Sequence, residues 1–112
     1  MCTKNASLSI HPKEVMEMFL RDIGADLIHY DYFELENDKG FGYMVFEKNY
    51  LRSKCSEMLN INVENIRGVT NAIIIFSSDA EDHSDIDGSE KESWINESMA
   101  IIEEYIIAEM EK

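Results

Sequence analysis

The sequence predicts a single α+β domain, with elements in the order α-β-β-α-β-α and a small, mainly antiparallel three-stranded sheet carrying helices. Three observations predict it. A proline-opened apolar stripe spans residues 12–23, a β-rich hairpin pattern surrounds Asn37–Gly40, and a wide apolar stripe runs from residue 90 towards the end. The 112 residues, 45% of them hydrophobic, suit one core without disulfide or metal staples and give no reason to divide residues 1–112.

Residues 1–10 read as a loose arm or short edge strand. Ser9-Ile-His-Pro12 opens the first helix, because proline fits the first turn, where its missing N–H has no partner to lose. Val15, Met18, Phe19 and Ile23 form its stripe, Glu14 and Glu17 favour its dipole, and Gly24 is placed to stop it. Leu27–Leu35 is dense in β-formers, and Phe41–Phe46 returns as its antiparallel partner. Between them, Asn37-Asp-Lys-Gly40 reads as a type I turn closed by a left-handed glycine. The hairpin aromatics serve the core, unless one hairpin face is bare, in which case they are interface anchors.

Asn49 is placed to cap a second helix whose stripe is Leu51, Cys55, Met58 and Leu59. A connector over 60–69 tucks Val63 and Ile66 inward. Thr70–Ser77 is apolar without alternation, which predicts a central strand covered on both faces. An acidic loop over 79–89 follows. Ser89 and Glu92 then have capping-box spacing for a last helix that runs to the C-terminus, its stripe Ile95, Met99, Ile102, Ile106 and Met110 widened by Trp94, Ile101, Tyr105 and Ala108.

Chemistry-bearing patterns are sparse. With Gly88 at the sixth position of a calcium loop, Asp85 and Asp87 fall at the third and fifth. His83 and Trp94 then occupy the first and last ligand positions, so the loop lacks its key oxygens. His11, His29 and His83 lie in no zinc spacing, and Cys55 has no visible base beside it. Asp31, Glu34 and Glu36 offer carboxylates, but strand carboxylates usually face water. These observations predict no catalytic residue, no metal and no cofactor. Two cysteines, no apolar leader and no apolar run of membrane length predict a cytoplasmic protein.

Charge is the informative feature. The net charge is −13; residues 79–112 hold twelve acids against two lysines, and residues 1–78 hold eleven acids against eight bases. Such a surface repels nucleic acid and anionic membranes and draws basic surfaces at a salt-sensitive rate. The expectation is a non-enzymatic binding protein for a basic partner. In its most concrete form it is an inhibitor of the immunity-protein kind, occluding the basic cleft of a nuclease or nuclease-like toxin. The expected contact residues are Asp79, Glu81, Asp82, Asp85 and Asp87, with Glu90 and Glu97 on the following helix. A structural subunit or homodimer packing through the last helix is the second reading. A small enzyme or ligand-binding domain, with a pocket at His29, Tyr30 or Asp31, is the third.

Overall fold

The computed structural model describes residues 2–50, 55–78 and 88–111. Its order is β1 (Cys2–Leu8), α1 (Pro12–Asp22), β2 (Asp26–Leu35), β3 (Lys39–Tyr50), β4 (Cys55–Glu64), β5 (Thr70–Ser78), α2 (Gly88–Ile102), a 3₁₀ turn (Glu103–Tyr105) and β6 (Ile106–Glu111). One six-stranded sheet, ordered β2-β3-β4-β5-β1-β6, replaces the expected three strands, and every neighbouring pair is antiparallel.

The two helices lie on one face of this sheet. Inward-facing residues alternate along each central strand: Met44 and Phe46 on β3, Leu59, Ile61 and Val63 on β4, and Ala72, Ile74 and Phe76 on β5. They meet Val15, Met16 and Phe19 from α1 and Trp94, Ile95, Met99 and Ile102 from α2. Trp94 stands edge-on to Phe76, ring centres 5.7 Å apart, a favoured aromatic geometry. Among the described residues the opposite face carries no helix.

Helix α1 opens at Pro12 as expected. His11 caps it: Nδ1 accepts from the Lys13 N–H at 3.1 Å, and Nε2 lies 3.0 Å from the Asp38 carbonyl oxygen, tying the helix start to the hairpin turn. Gly24 does not supply a left-handed stop. The chain leaves the helix through extended Ile23 instead.

Hairpin β2–β3 forms where expected, with a different turn. Asn37 and Asp38 take the left-handed conformation, both at φ 63°, and Gly40 lies inside β3. Short polar side chains tolerate that region. Gly40 and Gly42 are needed for space. A Cβ on Gly42 would strike the Met16 sulfur and come within 2.8 Å of the Asp31 carbonyl oxygen.

The second helix is absent. Its segment belongs to β3 and β4, with residues 51–54 outside the described ones. Leu59-Asn-Ile-Asn-Val63 has period two, which puts apolar side chains against the helices and both asparagines on the bare face. Val63 is buried, as expected of it, but Ile66 is 51% exposed in the β4–β5 turn. Strand β5 is internal, yet covered on one face only, so Ile73 is 39% exposed. Strand β1 is no loose arm: it lies between β5 and β6. The last helix starts at Gly88 and stops at Ile102. The four-residue spacing of Ile102, Ile106 and Met110 continues into a strand because β1 offers a free edge there. The wide stripe is therefore divided, its helical half consumed by the protein's own core. No helix among the described residues is long and apolar enough to cross a membrane.

Candidate functional site

The expected acidic contact surface falls largely outside the described residues: Asp79, Glu81, Asp82, Asp85 and Asp87 all lie in 79–87, as does His83. Glu90 lies in the first turn of α2. Glu97, further along α2, is exposed, and its Oε2 lies 3.6 Å from Lys48 Nζ. The same ammonium stands 4.8 Å from the centre of the Trp94 ring, a cation–π contact that anchors the lysine stem over the indole. Glu97 thus faces a cation supplied by β3 as well as solvent.

Beneath this pair is Glu57, at the first inward position of β4 whose side chain is described. It is only 1% exposed, and neither carboxylate oxygen has a hydrogen-bond partner among the described residues. Lys48 lies directly opposite it across the β3–β4 ladder, but the ammonium is engaged by Glu97 and Trp94. The buried Trp94 Nε1 likewise has no hydrogen-bond partner among the described residues.

The bare sheet face carries Phe33, Phe41 and Tyr43 from the hairpin, while Tyr30, Tyr32 and Phe46 lie on the helix face. Phe33 and Phe41 stack with ring centres 4.9 Å apart and are both exposed. His29 and Tyr43 stack at 5.5 Å, with His29 Nε2 3.0 Å from the Tyr43 hydroxyl oxygen. Asn60 and Asn62 continue the face on β4, where Asn62 Nδ2 donates to Asn60 Oδ1 at 3.0 Å. Exposed Ile73 follows on β5. At one end of this face is an open groove of about 320 Å³, bordered by Asn5, Ser7, Glu64, Arg67, Asn71 and Ile73. Asn71 fixes its wall by accepting from Ser7 Oγ at 2.9 Å and donating to Glu64 Oε1 at 3.1 Å.

A smaller groove of about 220 Å³ lies between α1 and the hairpin turn, with His11, Tyr32, Glu34, Asp38 and Lys39 on its walls. The Tyr32 hydroxyl oxygen is buried without a partner among the described residues. Burial, then the nearby Glu34 and Asp38 carboxylates, push its pKa above the usual phenol value. It therefore stays neutral and is no ready base.

The carboxylates considered for acid–base work do not converge. Asp31 Oδ1 accepts the Tyr32 backbone N–H at 3.0 Å, and Glu34 forms a loose exposed pair with Lys13 at 3.9 Å. Neither groove is bordered by His29, Tyr30 or Asp31. Among the described residues no three His, Cys, Asp or Glu side chains are grouped to hold a metal ion.

The edge strand β2 is the feature that sequence reasoning passed over. Leu27, Ile28, Tyr30, Phe33 and Leu35 are all exposed on it. From Asp22 to Asp38 the chain carries six acids and neither lysine nor arginine. The charge run is visible in the sequence, but that β2 lies at the sheet edge depends on the strand order, which local patterning does not give. Comparison with protein-family models, curated proteins and solved structures found no match.

Proposed function

We propose that this chain is a non-enzymatic acidic binding protein, an inhibitor of the immunity-protein kind that occludes the basic cleft of a nuclease-like partner in the reducing cytoplasm. The observation that carries this reading is the charge: −13 in total, with twelve acids against two lysines after residue 78. A nuclease cleft must be basic to hold phosphates. An acidic surface of this density accelerates encounter with such a cleft and disfavours competing acidic partners. Aromatics exposed beside acids, as at Phe33, Phe41 and Tyr30, supply the desolvated anchors that charge alone does not.

The test is kinetic. A low-salt pull-down followed by isolation of the captured protein yields the pair, and stopped-flow mixing measures association. The association rate falls by about tenfold or more between dilute and half-molar salt. Asp82→Lys combined with Asp85→Lys slows association at low salt. Association indifferent to both changes overturns the reading.

A further inference from the structure

We infer that the open edge of β2 docks an extended, lysine- or arginine-bearing segment of the basic partner, which adds to the sheet as a further strand. The inference rests on the acidic-binding reading above and assigns it a place on the fold.

The backbone geometry comes first. Asp31 pairs with Tyr43 and Phe33 with Phe41 across the ladder. The carbonyl oxygens of Asp31 and Phe33 point towards β3, lying 2.8 and 3.2 Å from where a Cβ would stand on Gly42 and Gly40. In an antiparallel ladder the intervening residues turn their N–H and C=O groups the other way. Tyr30, Tyr32 and Glu34 therefore direct their backbone groups outward. The Tyr32 N–H is held by Asp31 Oδ1 at 3.0 Å, on the open side. An incoming carbonyl takes over that N–H and frees the Asp31 carboxylate for a cation on the same incoming strand.

The side chains then select the occupant. Natural edges are usually blunted by lysines, and β2 has none. Its single irregularity, the bulge between Leu27 and His29, leaves 29–35 regular. Phe33 and Leu35 offer apolar contact on the bare face and Tyr30, 53% exposed, on the helix face. Asp31 and Glu34 place a carboxylate on each face. A second copy of β2 would lay one acidic strand beside another, and their like charge disfavours self-pairing. A segment mixing apolar residues with lysine or arginine matches both the backbone and the charges.

The probe is a blocked nonapeptide alternating valine and lysine, with a valine–glutamate peptide as control, added at low salt to the full chain. Amide hydrogen exchange by NMR is the readout. The basic peptide slows exchange at Tyr30, Tyr32 and Glu34 by at least about tenfold, and the acidic peptide does not. Tyr30→Pro abolishes the protection without removing a β2–β3 hydrogen bond. Asp31→Lys with Glu34→Lys abolishes it too, and covers the case in which the proline unfolds the hairpin. No protection, or protection of the Asn60–Asn62 face instead, overturns the inference. Protection that grows with protein concentration in the absence of peptide also overturns it, by showing a second copy on the edge. If partner association stays salt-sensitive and is unaffected by Tyr30→Pro, the edge inference falls and the acidic-binding reading stands. If partner association is also indifferent to salt, both fall.

Discussion

Glu57 shows how much one side chain can oppose the fold that holds it. Its carboxylate is taken out of water with no hydrogen bond among the described residues, while the lysine opposite serves Glu97 and Trp94. An unsatisfied buried polar group costs about 1–3 kcal/mol, more when it is charged. Glu57→Met keeps the length and removes the orphaned oxygens. It is expected to raise the unfolding free energy by about 1–3 kcal/mol, read as a higher denaturant midpoint at constant slope. An unchanged or lower midpoint would show that the carboxylate has a stabilising partner. The sequence hid this residue. Read at helical period, Glu57 falls off the stripe of Cys55, Met58 and Leu59; read at period two, it shares the inward face of Leu59, Ile61 and Val63. The His11 cap was half legible, since Pro12 announced the helix start while the partner at Asp38 depends on a tertiary contact.

At the scale of the elements, what could be read depended on local repetition. Helix α1 and the β2–β3 hairpin each carry their own signal, a proline-led stripe and a turn between two β-rich runs, and both appear within a few residues of their expected bounds. Strand β4 carried two overlapping periods in one segment, and the sheet decided between them: β3 and β5 pair with it on either side, and its period-two face of Leu59, Ile61 and Val63 fills the core. Strand β6 was illegible for the same reason, since its identity comes from β1. These positions differ in energetic weight. Ile61→Ala, at a fully buried site in the middle of the sheet, should cost about 2–5 kcal/mol. Ile107→Ala, on the outer strand and 63% exposed, should stay within about 0.5 kcal/mol, and parallel urea melts compare the two. Similar losses at both would mean that the edge is covered.

Across the whole molecule, composition gave the charge and its sign, but not the architecture. The excess of acids fixes what kind of surface can approach, while the uncovered sheet face and the open edge at β2 follow only once both helices are seen on one side. The placement of β1 has a further consequence, in time. Its two neighbours lie far along the chain: Lys4 pairs with Ile74 on one side and with Glu111 on the other. The hairpin closes over a short loop, whereas β1 must wait for contacts separated by most of the chain, and such closures slow folding. The meander from β2 to β5 is expected to lead and β1 to dock late. Substitutions at Leu8 should then mainly speed unfolding, and those at Val63 should mainly slow refolding, as separate arms of a chevron plot. Until that docking, a nascent chain holds its first strand with both edges unsatisfied, so the route to the native state, more than the native state itself, is where this protein meets the risk of aggregation.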